Sequence, residues 1–178
     1  MVALLLLLGW LYINNFAALK LRFDALARHL VFYIQATTTT TMTKSTIVYA
    51  DDDLDDLFIV EQAFAPFADH INLVHVPDGN EALKKLEELC ATGDEPCLVL
   101  LDMNMPVMDG RQALIKMRKS EQLCKIPVAI FTTSSSNIDK AFAQQWDARY
   151  FTKPIQFDEL QHLAKTFISI CAEDVSNN

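Results

Sequence analysis

Leu98-Val99-Leu100-Leu101-Asp102-Met103-Asn104-Met105-Pro106-Val107-Met108-Asp109-Gly110 is the stretch that decides how this chain reads. Residues 97–101 are an unbroken apolar run, short enough for a strand and bounded by turn-forming residues, so a buried strand is predicted there. The run ends on one carboxylate, Asp102, and the chain then turns through Pro106 and Asp109-Gly110. A carboxylate at the carboxyl end of a parallel strand lies where open α/β sheets bind their ligands, which makes Asp102 the candidate reactive group.

Outward from this stretch the same pattern recurs. Residues 46–50 and 71–76 read as two earlier strands, followed by Asp51-Asp52-Asp53 and by Pro77-Asp78-Gly79. Residues 126–131 and 149–152 read as two later strands, leaving through Thr132-Thr133-Ser134 and Lys153-Pro154. Helical spacing fills the gaps. Leu57, Val60 and Phe64 share one face before Pro66; Leu83, Leu86 and Cys90 share another; then come Ala113, Leu114 and Met117, and a helix over 137–145. The last helix has the longest stripe: Phe157, Leu160, Leu163, Ala164, Phe167, Ile168 and Cys171.

Strands this apolar must be covered on both faces. The predicted fold is α/β: a doubly wound, five-stranded parallel sheet of order 2-1-3-4-5 in a three-layer sandwich. It occupies residues 44–172, with a polar tail over 173–178 that is expected to fray.

Composition narrows the function. Of the formal net charge of −8 over 178 residues, Lys20, Arg22 and Arg28 against Asp24 give the first 41 residues +2, leaving −10 for the remainder. So acidic a domain is unsuited to nucleic-acid phosphates, which call for clustered Lys and Arg. The four cysteines, Cys90, Cys97, Cys124 and Cys171, show no paired spacing and sit in apolar runs. They read as small buried hydrophobes in a reducing compartment rather than as disulfides or metal ligands.

Residues 1–19 carry no charge, and a Thr-rich run, 37–41, precedes Met42. Two readings stand. The segment is a membrane anchor with its basic flank on the cytoplasmic side, or a preface produced by a translation start set upstream of Met42. The domain itself is expected in the cytoplasm, touching a membrane only if the anchor is real.

A parallel sheet opens all its strand ends on one edge. Asp51, Asp52, Asp102, Thr132 and Lys153 therefore converge, although they are far apart in sequence. Three carboxylates together repel one another unless a hard divalent cation joins them, and Mg²⁺ fits, since it takes a few carboxylates while keeping waters and a phosphoryl oxygen. A carboxylate nucleophile beside such a cation can accept a phosphoryl group. Lys153 and Thr132 would each partner one phosphoryl oxygen and the cation a third.

In this order and spacing, Asp51-Asp52, the Asp102-Met-Asn-Met-Pro run, Phe131-Thr132 and Lys153-Pro154 resemble the receiver domain of bacterial two-component response regulators, in its stand-alone form. The resemblance covers about residues 45–171 and implies a flavodoxin-like fold. It also implies a phosphohistidine donor on a sensor histidine kinase or a histidine phosphotransfer protein, with Asp102 as acceptor. By the same resemblance Mg²⁺ is held by Asp51, Asp52, Asp102 and the backbone carbonyl of Asn104. Thr132 and Tyr150 match the family's switch pair, which remodels the face of the fourth helix, fifth strand and fifth helix. The Lys153-Pro154 bond is expected cis, and homodimerisation on phosphorylation is open. Asn104 and Ser134 stand at positions that tune acyl-phosphate hydrolysis in the family. Thr133 departs from the small residue usual there.

An alternative is an Mg²⁺-dependent aspartate-nucleophile phosphatase of the haloacid dehalogenase type. That class carries its nucleophile on the first strand, in an Asp-x-Asp motif, rather than on the third. A receiver that serves only as a scaffold is a further possibility. Asp53, Asp55, Asp56 and Asp109 read as helix caps and first-turn acids. His29, His70, His75 and His162, with Trp10 and Trp146, are given no chemical role.

Overall fold

The computed structural model describes residues 44–175, with side chains over 44–172. Residues 1–43 and 176–178 lie outside the described region, and with them the anchor and upstream-start readings, His29 and Trp10. Among the described residues no helix is long and apolar enough to cross a membrane.

Five strands form one parallel sheet: β1 (Ser45–Ala50), β2 (Ile71–Val76), β3 (Leu98–Leu101), β4 (Val128–Thr132) and β5 (Arg149–Thr152), in the order β2-β1-β3-β4-β5. Between and after them run α1 (Leu54–Phe64), α2 (Gly79–Thr92), α3 (Gly110–Lys119), α4 (Asn137–Gln145) and α5 (Phe157–Val175). A short 3₁₀ turn, Ala65–Phe67, closes α1 with Pro66 inside it.

Successive strand residues point to opposite faces, and the core splits accordingly. Val48, Val99, Leu101 and Ile130 join Leu86, Leu114 and Met117 on the face covered by α2, α3 and α4. Ile47, Tyr49, Leu100 and Phe131 join Val60, Phe64, Leu160 and Phe167 on the face covered by α1 and α5. The three inner strands are buried on both sides, which is why they read as continuous apolar runs rather than alternating ones. The edge strands β2 and β5 are partly exposed.

Three helix starts, those of α1, α2 and α3, are fixed by acids. Asp53 accepts from the Asp55 amide at 2.8 Å, Asp78 from the Asn80 amide at 2.7 Å and Asp109 from the Gln112 amide at 2.8 Å. Helix α2 stops at Gly93, whose φ of +80° is open to glycine without strain.

Two sequence expectations are corrected. Cys97 and Cys171 form a disulfide with Cα atoms 4.9 Å apart, across a sequence separation of 74. Neither is the free apolar thiol that its local sequence suggested; the pairing arises because the sheet order places the start of β3 beneath the last turns of α5. Cys90 and Cys124 are free. The Lys153–Pro154 bond is trans, the form that even prolyl peptides intrinsically prefer, and a sequence resemblance transmits no such dihedral.

Candidate site at the carboxyl edge of the sheet

Past the strand ends the ladder continues for one more step and fixes the backbone of the site. The Asp51 amide donates to Val76 O at 3.0 Å, the Asp102 amide to Ala50 O at 2.9 Å and the Lys153 amide to Thr132 O at 2.8 Å. Asp51, Asp102 and Thr132 are buried, and the Lys153 side chain is 10% exposed.

Lys153 sits at the centre. Its ammonium pairs with Asp51, lies 2.7 Å from Asp56 Oδ2 and 3.5 Å from Asp102 Oδ1. Burial works against its charge, but the hydrogen bonds to Asp51 and Asp56 outweigh that and hold it above the ordinary lysine value. Lys153 Nζ also stands 5.9 Å over the ring of Phe131. The other Asp102 oxygen accepts from the Asn104 amide at 2.6 Å.

Asp51 is held from three further sides. The Tyr49 hydroxyl donates to its carboxylate, the Asp53 amide donates to it at 3.0 Å, and His75 Nε2 lies 2.8 Å from its backbone carbonyl. Burial first, then the bond to Asp51, pushes the Tyr49 phenol far above its usual range, so it remains a donor. Asp52 and Asn104 are exposed at the rim.

The loop after Asp102 is tighter than its sequence suggests. Its left-handed residue is Val107 at φ +62°, spanned by a 2.6 Å bond from the Met108 amide to Pro106 O; a β-branched residue there is strained. Gly110 serves close approach instead: a Cβ on it would lie 2.1 Å from Asp102 O. Glycine is thus required to bring the start of α3 against the backbone of Asp102.

Thr132 Oγ1 accepts from the Ser134 amide at 3.4 Å, and the Tyr150 hydroxyl donates to Ser134 O at 2.7 Å, so one residue stands between the two switch candidates. Asp56, Tyr49 and His75 take part in the site without having been singled out for it, and Asp139 borders it through Ser134, a residue the resemblance had already marked. Tyr49 was findable, since residues i and i+2 of a strand share a face. Asp56 and Asp139 look in sequence like any acid in a first helical turn.

Hard carboxylate oxygens from neighbouring strand ends form the donor chemistry a divalent cation needs. Among the described residues, however, no group of three or more His, Cys, Asp or Glu side chains is gathered to hold a metal ion, and the cation that Asp51 and Asp102 share is Lys153. Every buried side-chain nitrogen and oxygen described has a hydrogen-bond partner.

The family model "Response regulator receiver domain" matches residues 47–165. Probable methanogenesis regulatory protein FilR2 of Methanothrix harundinacea is 30% identical over 118 residues, 65% of this chain and 76% of that protein. Response regulator Rcp1 of Synechocystis is 27% identical over 136 residues, 75% of this chain and 92% of that one. The crystal structure of the phosphorylated cyanobacterial phytochrome response regulator RcpA superposes with a TM-score of 0.63 at 28% identity, covering 70% of this chain and 91% of that one. The Mn²⁺-bound form of Rcp1 gives 0.62 at 26%, covering 70% and 92%. With this fold, this arrangement of strand-end residues and a family match over most of its length, the chain belongs to the response regulator receiver domain family.

Proposed function

We propose that this chain is the phospho-accepting member of a two-component phosphorelay, taking a phosphoryl group onto Asp102 from a phosphohistidine of a sensor histidine kinase or histidine phosphotransfer protein. The observation that carries this reading is the placement of Lys153 Nζ 3.5 Å from Asp102 Oδ1 while it is anchored on Asp51 and Asp56. A cation so held neutralises charge on the incoming group without having to be recruited.

An Asp102 carboxylate oxygen attacks phosphorus, the phosphorus–nitrogen bond to the donor imidazole breaks, and that imidazole takes up a proton. The acid becomes an acyl phosphate. Lys153 and the Thr132 hydroxyl are assigned one phosphoryl oxygen each. Asp51, Asp52, Asp102 and the Asn104 carbonyl are the residues that would hold Mg²⁺, which supplies charge neutralisation at a third oxygen. Binding there would draw on the Asp51 carboxylate that also pairs with Lys153. That proteins of this fold occur in an Mn²⁺-bound form and in a phosphorylated form supports the phosphoacceptor reading.

The donor's approach is shaped by an apolar rim. Ile59, Ile155 and Phe157 are exposed beside Lys153, around a cavity of about 220 Å³. The state of Asp102 would be read on the face of α4, β5 and α5, through Thr132 and Tyr150. In this reading the chain is a phosphoacceptor rather than a turnover enzyme. The haloacid dehalogenase type fits less well, since Asp102 follows the third strand and not the first.

The test is phosphate incorporation from a small acyl phosphate with Mg²⁺. Wild type is expected to take up about one phosphate per chain and Asp102→Asn none. Equal labelling of the two would sink the assignment.

A further inference from the structure

Ser134 has every polar atom engaged. Its amide donates to Thr132 Oγ1, its hydroxyl donates to Asp139 Oδ2 at 2.7 Å and accepts from the Ser136 amide at 3.2 Å, and its carbonyl accepts the Tyr150 hydroxyl. Asp139 is buried, and its other oxygen is paired with the guanidinium of Arg111. Arg111 stands next to Gly110 at the start of α3, and the Gly110 amide donates to Met103 O at 3.3 Å while its Cα packs on the carbonyl of Asp102. An unbroken run of contacts thus leads from the Asp102 loop through Arg111, Asp139 and Ser134 to Tyr150.

We infer that Arg111 and Asp139 are positioning residues that latch Ser134, holding its carbonyl where the Tyr150 hydroxyl engages it and tying the start of α3, beside the Asp102 loop, to α4. The regulatory meaning of this latch rests on the reading of Asp102 as phosphoacceptor; its effect on Tyr150 does not. Arg111 is well placed to act as a lever rather than a mere surface charge. Its guanidinium also lies 6.0 Å over the ring of Phe142 in α4, so α3 and α4 share two contacts through one side chain. The hydrogen bond from Ser134, supported by Arg111, holds the Asp139 carboxyl below the ordinary carboxylate range, so it is charged at neutral pH and both its bonds are charge-assisted. A free Ser134 loop would leave the Tyr150 carbonyl partner to chance; the latch fixes it before any phosphoryl group arrives.

The measurement is fluorine NMR of the full chain carrying 3-fluorotyrosine, with the Tyr150 signal assigned by Tyr150→Phe, on unphosphorylated wild type, Asp139→Ala, Arg111→Gln and the double variant. In Asp139→Ala the ratio of engaged to disengaged Tyr150 is expected to fall about tenfold, the scale of a hydrogen bond to a charged group. In Arg111→Gln it is expected to fall about threefold, because this side of the pair is partly exposed. The double variant is expected to match Asp139→Ala alone. An unchanged Tyr150 signal in Asp139→Ala, or additive effects of the two substitutions, overturns the latch. Phosphate uptake at Asp102 is followed in parallel and is expected to keep its stoichiometry in all variants. Absence of uptake in wild type would remove the phosphoacceptor reading while leaving the Tyr150 result to decide the latch.

Discussion

The two ends of the sheet hold half-buried cations in opposite ways. At the carboxyl edge Lys153 faces Asp51, Asp56 and Asp102, and its charge is reinforced despite burial. At the amino edge Arg118 donates to four backbone carbonyls: Trp146 O at 3.0 Å, Cys124 O at 3.2 Å, Ile126 O at 3.0 Å and Asp147 O at 2.8 Å. There burial dominates and pulls the guanidinium below its ordinary value, though not far enough for an arginine to lose its proton. Carboxylates facing an ammonium can exchange it for another cation, and the ammonium can exchange them for a phosphoryl oxygen. Carbonyls that terminate a loop have no alternative donor of that reach. The first arrangement is suited to chemistry and the second to fastening, and the disulfide Cys97–Cys171 is a second fastener at the same amino edge.

Removing the exchangeable cation should hurt reactivity most. Lys153→Met is expected to slow phosphate incorporation from a small acyl phosphate about a thousandfold, the upper scale for deleting one preorganised partner of developing charge. The rate is read by labelling with Mg²⁺ present. A loss of less than tenfold would mean that Lys153 fastens the strand ends much as Arg118 does, and the contrast would collapse.

At the other end the expected effect is on stability alone. Arg118→Met leaves four loop carbonyls to find water, some of which can, so a loss of about 3 kcal/mol in unfolding free energy is expected. Denaturant titration gives the value, and the labelling rate of the folded variant should stay within about twofold of wild type. A large fall in rate with intact stability would place Arg118 in the signalling path instead.

The sequence made one end far more legible than the other. Strands announced themselves because burial on both faces leaves only apolar residues, and the convergence at the carboxyl edge followed from topology: Asp51, Asp102 and Lys153 each end a parallel strand, and there they meet. The amino edge has no such logic. Arg118 reads as an ordinary basic residue in the last turn of α3, and its four acceptors are backbone atoms that no side-chain pattern encodes. Cys97 and Cys171 each sit in a locally apolar run, and only the sheet order brings them together. At the carboxyl edge the same limit hid Asp56 and Asp139, whose partners Lys153 and Arg111 lie 97 and 28 residues away. The turn after Asp102 was legible from Pro106 and Gly110, but not that its left-handed residue is Val107 or that Gly110 is needed for its lack of a side chain.

Asp139 tests whether every charge at the carboxyl edge is of the exchangeable kind. It lies on that edge, yet it is bonded on both oxygens, to the Ser134 hydroxyl and to Arg111, as a fastener would be. Its carboxyl titrates below the ordinary value in the folded protein, chiefly because of the Ser134 bond. A carboxyl lowered on folding contributes stability that is fully present above its unfolded value, near pH 4, and is lost as pH falls through its folded value. Asp139→Asn is therefore expected to cost about 1 kcal/mol at neutral pH, since asparagine keeps an acceptor for Ser134 but loses the ion pair. The gap between variant and wild type should close as pH falls below about 4. Denaturant unfolding of both proteins between acid and neutral pH measures it. A gap that persists unchanged at low pH would show that the Asp139 charge contributes nothing to the fold, and that its pairing with Arg111 does not fasten this edge.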